Sequence, residues 1–221
     1  MAIAKFPKED DEIDVIGWEA VALALAKKAG IEIPLNRLEP VGCKRILLSR
    51  RFDRNGEMRI PFLSAMSALG AKDNEMHSYL EIADAIRQIT AHPQEDLKAL
   101  WRRIVFNVMI SNGDDHLRNY AFLYKNGDGW RLSPAYDLNP TPLDIRPRVL
   151  STAIDANDPS ASIPLALSVA SYFGLDDFEA QKIVREISQA VCGWRQEAEK
   201  ARIRRKEIDR MASAFALGEL S

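Results

Sequence analysis

The chain has little cysteine and little histidine, with two of the former (Cys43 and Cys192) and three of the latter in 221 residues. The cysteines stand far apart in no CxxC or CxxH spacing, which excludes a disulfide-rich secreted scaffold and a cysteine-based zinc site. No basic leader followed by a long apolar stretch opens the sequence. Apolar runs such as residues 20–26 fall well short of the roughly 20 residues that a bilayer requires, so no membrane span is expected. Neither sign of charge dominates: 30 Lys plus Arg against 32 Asp plus Glu leave −2, which excludes a bulk electrostatic footprint for DNA or anionic membrane. The eleven glycines scatter without a GxGxxG, and there is no internal repeat or low-complexity stretch. These absences describe a cytoplasmic globular chain.

What is present is a 47% hydrophobic composition, enough for one sizeable core or two small ones sharing an interface. The opening AIAKF alternates as a strand, with Ile3 and Lys5 on one face and Ala2 and Ala4 on the other. An Ala- and Leu-rich helix is expected over 17–29, with Gly30 at its left-handed cap. Residues 45–53 read as a strand, and Asn55-Gly56 as the turn of a hairpin into 58–62. From His77 the pattern becomes helical over 79–90, and again from Pro93 to about Ser111. The second helix carries Leu97, Leu100, Trp101, Ile104, Val105, Val108 and Met109 as a core-facing stripe. A polar loop over 112–119, strands at 120–124 and 130–132, and an irregular segment over 133–164 with six prolines follow. Three helices are expected over 165–173, 178–201 and 206–217.

Chemistry concentrates in two places. Asp114, Asp115, His116, Arg118 and Asn119 leave the end of the apolar helix, and Asp137 leaves the end of the following hairpin. Two short strands return the chain close to its start, so Asp114, Asn119 and Asp137 can converge. Transfer of a phosphoryl group from ATP needs a carboxylate to accept the proton of the attacking hydroxyl, and an Asn and an Asp to hold Mg²⁺. The D-x-x-x-x-N spacing from Asp114 to Asn119 follows a kinase catalytic loop. A metal-dependent phosphohydrolase fits poorly, because His77 and His92 have no acidic partners at metal spacing and read as structural. Cys43 and Cys192 read as ordinary thiols. The basic run over 202–206 reads as a solvated helix end, with a local patch for DNA or a DNA-bound partner as its functional alternative.

The sequence resembles the HipA family of bacterial Ser/Thr protein kinases, toxins of HipA–HipB-type toxin–antitoxin systems. The resemblance rests on Ala4-Lys5-Phe6-Pro7, the helix around Glu19, Arg51-Phe52-Asp53-Arg54, the loop Asn112-Gly113-Asp114-Asp115-His116-Leu117-Arg118-Asn119, and Leu132-Ser133-Pro134-Ala135-Tyr136-Asp137. It implies an α+β, protein-kinase-like fold with a truncated N-lobe over 1–62 and a mainly helical C-lobe over 63–221. It implies Asp114 as catalytic base, Asn119 and Asp137 as Mg²⁺ ligands, and Lys5 contacting ATP phosphates, with Glu19 able to pair with it. Arg50 to Phe52 would form the hinge beside adenine, largely through backbone, and His116 and Arg118 would touch phosphate or steady the loop. The cofactors implied are ATP and Mg²⁺. The implied partners are a protein substrate, with an aminoacyl-tRNA synthetase as one family target, and a HipB-like helix-turn-helix antitoxin through which DNA is met indirectly. Members of the family carry an N-terminal subdomain and a Ser-containing Gly-rich loop ahead of the AKFP strand. The reading therefore includes a separate N-terminal HipA-like chain as partner. Its alternative is a non-catalytic remnant or an antitoxin-binding co-repressor subunit.

Overall fold

The computed structural model describes residues 1–219 apart from Cys43, Asn74 and Asn157. The thiol reading of Cys43 therefore lies outside the described residues. Strand β1 (Ala2–Lys5) pairs antiparallel with β3 (Lys44–Arg50), which also pairs with β2 (Asn36–Val41), in the order β1-β3-β2. Register places Ile3 opposite Ser49 and Lys5 opposite Leu47, so Ile3 and Lys5 share the inner face and Ala2 and Ala4 the outer one. Strand β2, NRLEPV, lacks apolar alternation and contains Pro40. It is an edge strand, the position in a sheet where proline is tolerated.

Between β1 and β2 runs α1 (Val15–Lys28), capped by the Asp14 side chain on the Gly17 N–H at 2.9 Å and closed by Gly30 at φ 73°. Helix α1 is not attached to its own sheet alone. Trp18 packs against Trp194 and Phe215 with ring centroids 6.1 and 5.9 Å away, and Trp194 stacks on Phe215 at 4.5 Å. Glu207 Oε1 accepts from the Trp18 indole at 2.8 Å and from the Asp14 N–H at 2.7 Å. Arg45 pairs with Asp14 and donates to the Ala201 carbonyl. The helix is thus bolted to the C-terminal helices by aromatic burial and by polar contacts at its N-terminus.

The expected hairpin into 58–62 is corrected. Asp53 gathers Arg51 and Arg54, with N···O distances of 2.8 Å (Arg51 Nε) and 2.7 Å, and the chain leaves the sheet after Arg50. Asn55-Gly56 turns a minimal pair, β4 (Arg54–Asn55) and β5 (Met58–Arg59). Phe62 opens β6 (Phe62–Ser64), which joins β8 (Ala121–Lys125) and β9 (Gly129–Leu132) in a second sheet, order β6-β8-β9. A short α2 (Ala65–Ala68) follows, and β7 (His77–Ser78) pairs in parallel with β10 (Thr152–Ala153).

Helices α3 (Tyr79–Ile89) and α4 (Pro93–Met109) form as expected, and α4 is the central element of the core. It buries its apolar stripe and also Asp96, Arg103 and Asn107, and its last two turns, from Arg103 to Met109, are enclosed on every side. The last three expected helices are each interrupted. Helix α5 (Ile163–Ser168) passes into a 3-10 turn at Ala170–Phe173, and α6 (Asp177–Val191) is separated from α7 (Trp194–Lys200) at Cys192-Gly193. Helices α8 (Arg205–Arg210) and α9 (Ala212–Glu219) are separated at Met211, where no glycine or proline marks the break. Apolar spacing persists across each interruption because both halves face one core, so periodicity alone does not reveal it.

Candidate active site

The first residues to assemble are Lys5, Glu19 and Asp137. Lys5 leaves the inner face of β1, Glu19 follows the bolted Trp18 on α1, and Asp137 lies beyond β9. Lys5 Nζ is 2.6 Å from Glu19 Oε1 and 2.8 Å from Asp137 Oδ1. Burial works against the Lys5 charge, yet the two carboxylates outweigh it and hold its pKa above the ordinary value. Burial lifts the Glu19 carboxyl above its usual range, with Lys5 opposing. Burial also pushes Asp137 upward, but Lys5, Asn139 and His116 more than offset this and keep it low. Asp137 holds a left-handed backbone at φ 60°, an uncommon conformation for a residue with a side chain, and Asn139 Nδ2 donates to its Oδ1 at 3.0 Å.

Two cavities meet at this triad. A polar cleft of about 840 Å³ is lined by Lys5, Glu19, Asp114, Asp137, Asn139 and Arg146 among others. A more apolar pocket of about 390 Å³ opens on the other side of Lys5 and Glu19, walled by Leu23, Phe52, Phe62 and Tyr136. Phe52 lies 5.4 Å from the Tyr136 ring and 6.5 Å from Phe62, between centroids. Arg50 reaches this pocket too. Its side chain belongs to the outer sheet face with Ala2, which leaves its backbone as the inward contribution. A flat apolar slot and a polar cleft divided by one clamped ammonium suit a ligand with an aromatic end and an anionic end.

Asp114 is exposed in the cleft, and its Oδ1 lies 3.4 Å from Arg146 Nη1. Asn119 folds under the loop, donating from Nδ2 to the Asp114 carbonyl at 3.2 Å. His116 donates its backbone N–H to the same carbonyl at 3.1 Å, and its Nδ1 is buried without a hydrogen-bond partner. Arg118 lines the apolar pocket rather than the polar cleft. It pairs with Asp73, and its carbonyl accepts the Tyr136 hydroxyl at 2.6 Å.

Asp114 and Asp115, adjacent in sequence, diverge in the fold. Asp115 is 2% exposed and accepts from the hydroxyls of Tyr79 and Tyr120 and from Asn107 Nδ2 at 2.6 Å. Burial raises its pKa from 3.8 to about 6 against those three hydrogen bonds. Asn107 Oδ1 accepts from Asn112 at 3.1 Å, and Asn112 Oδ1 accepts from the Asn139 N–H at 3.4 Å, so one buried network joins the Asp114 loop to the Asp137 segment. Arg103 donates to the Ser133 carbonyl just ahead of that segment. The sequence signal for this network is the pair Arg103 and Asn107 at i, i+4 in the apolar C-terminal half of α4.

Among the described residues, no cluster of three or more His, Cys, Asp or Glu could form a metal cage. The donors present are an Asp and neighbouring Asn side chains, hard oxygens in small number. That set fits Mg²⁺, which keeps waters and shares its shell with phosphates.

A family model described as the HipA-like C-terminal domain matches residues 1–194. The chain belongs to this family. A curated relative from Haemophilus influenzae, named "Putative kinase", is 25% identical over 134 residues, 54% of this chain and 39% of that protein. This HipA-like chain spans less than half the length of the curated relatives it matches. Among solved structures, Shewanella oneidensis MR-1 HipA, determined with HipB and operator DNA, aligns with TM-score 0.78 at 19% identity. The match covers 99% of this chain and 58% of that one. The Helicobacter pylori proinflammatory kinase CtkA aligns with TM-score 0.61 at 14% identity, covering 98% and 90%. The fold is therefore the α+β kinase-like fold of HipA and CtkA. No helix among the described residues is long and apolar enough to cross a membrane.

Proposed function

We propose that this HipA-like domain binds MgATP and transfers the γ-phosphoryl group to a Ser or Thr hydroxyl of a protein. The observation that carries the reading is Lys5, clamped between Glu19 and Asp137 at the junction of the apolar pocket and the cleft that holds Asp114. In this reading Phe52, Phe62 and Tyr136 take the adenine ring, and Lys5 faces the phosphates. Asp137 and Asn119 would hold Mg²⁺, which neutralises phosphate charge when bound. Asp114, exposed and unburdened by burial, orients the acceptor hydroxyl and takes its proton. His116 steadies the loop from beneath, and Arg118 ties it to Tyr136. A helix-turn-helix antitoxin of the HipB type is the proposed partner, with DNA met through it. The Shewanella HipA complex with HipB supports this.

The test is a thermal shift with MgATP followed by phosphorylation assays on wild type and Asp114→Asn. Stabilisation by MgATP is expected, with turnover falling about 10²–10⁴-fold in the variant while the shift is retained. Undiminished turnover would remove Asp114 from its role. No shift at millimolar MgATP from a folded protein would favour the non-catalytic, antitoxin-binding alternative.

A further inference from the structure

Within the kinase reading, on which this inference rests, the cleft is short of positive charge. Its lining has three cations, Lys5, Lys8 and Arg146, against six carboxylates, and Lys5 is already held by two of those. A nucleoside triphosphate entering this cleft needs a further donor at its outer end. Arg146 is placed to supply it. The segment that carries it folds back over the Asp114 loop: Ser151 donates its N–H and its hydroxyl to the Gly113 carbonyl at 3.1 and 2.9 Å. Arg146 itself lies along Gly113. A Cβ there would come within 3.0 Å of the Val149 carbonyl and 3.1 Å of Arg146 Nε, so a residue without a side chain is what admits the guanidinium beside Asp114.

The guanidinium is held loosely. Nη1 is 3.4 Å from Asp114 Oδ1, Nη2 is 3.2 Å from Ser151 Oγ, and both Arg146 and Asp114 are open to solvent. A solvent-exposed pair of that length contributes little to stability and is readily exchanged for a better anion. Phosphate oxygens, which accept two parallel N–H bonds from one guanidinium, are such an anion.

We infer that Arg146 is a catalytic arginine supplied in cis. In the free protein it screens Asp114, and with nucleotide bound it turns onto the γ-phosphoryl oxygens and leaves Asp114 free to act as base. In the transfer the acceptor hydroxyl oxygen forms a bond to the γ-phosphorus and its proton passes to Asp114. The bond from the γ-phosphorus to the bridging oxygen breaks, and the nucleoside diphosphate departs with that electron pair. Arg146 stabilises the charge on the transferring group and exchanges no proton.

The experiment compares wild type with Arg146→Ala and Arg146→Lys, measuring MgATP and MgADP affinities by calorimetry and turnover by phosphate transfer. Because the side chain is exposed, both variants should melt within a few degrees of wild type, which the same samples report. In Arg146→Ala the MgATP affinity should fall about tenfold while MgADP stays within about twofold, since only the triphosphate reaches the guanidinium. Turnover should fall on the order of 10²-fold or more with little change in KM for the acceptor, and the lysine, unable to bond bidentately, should not restore it. Equal loss of both nucleotides, or unchanged discrimination and turnover, would overturn the role of Arg146 and leave the kinase reading standing. A wild type that binds neither nucleotide would overturn both.

Discussion

Replacing Asp115 with asparagine should remove a specific part of the pH dependence of stability. The carboxyl is buried among Tyr79, Tyr120 and Asn107, and its pKa rises from 3.8 to about 6 on folding. Between those values the folded protein holds a proton that the unfolded chain releases. Stability from this group is therefore fully present below about pH 4 and is lost as pH rises through 6. A shift of about two units corresponds to about 3 kcal/mol across the whole window. Roughly 1–2 kcal/mol of that is expressed between pH 7.5 and pH 5. Other carboxylates run the opposite way: Asp137, Glu81 and Glu197 are held low by basic partners, so their contributions fade on acidification. The assay is therefore a difference of differences, from urea unfolding of wild type and Asp115→Asn at both pH values. Wild type should gain roughly 1–2 kcal/mol relative to the variant on moving from pH 7.5 to pH 5. A difference near zero, or one of opposite sign, would mean that Asp115 is not the desolvated, raised carboxylate described above.

Two further perturbations probe the site's supports. Lys5→Met leaves Glu19, 3% exposed, without its cation, and should lower stability by about 2 kcal/mol, discounted from the fully buried case because Lys5 and Asp137 are part-exposed. Adding Glu19→Gln should recover at least half of the loss by denaturant unfolding, and no recovery would refute the pairing argument. Trp18→Ala opens the aromatic cluster with Trp194 and Phe215 and should cost about 3–5 kcal/mol. Because Glu19 is the next residue on α1 and Trp18 itself lines the cleft, MgATP affinity should fall as well. Intact affinity in a destabilised variant would show that the C-terminal helices do not fix Glu19.

Much of this molecule is legible along the chain where the relevant physics is local. The alternation of AIAKF correctly places Ile3 and Lys5 on one face, the Pro93 start and apolar stripe specify α4, and Gly30 marks the end of α1. Asp114 and Asp137 line one cleft, in keeping with a short hairpin that returns the chain close to its start, whereas Asn119 lies beneath the loop with its Nδ2 on the Asp114 carbonyl. The exceptions share a different cause. Phe62 continues a run that reads as one strand, yet it belongs to another sheet because Asp53 draws Arg51 and Arg54 together and turns the chain away. Strand β2 carries no apolar alternation, since an edge with a polar face needs none.

The sequence by itself determined which residues are available for chemistry and which segments carry them, because those properties depend on residue type and on spacings of a few positions. Tertiary structure alone decided which of two adjacent aspartates faces solvent and which is buried beneath two tyrosine hydroxyls. It decided that α1 is bolted to helices nearly two hundred residues away in sequence. It also laid Arg146 against Gly113 and Asp114. Each of these depends on burial and on contacts between distant segments, and no local pattern encodes the desolvation that separates Asp115 from Asp114.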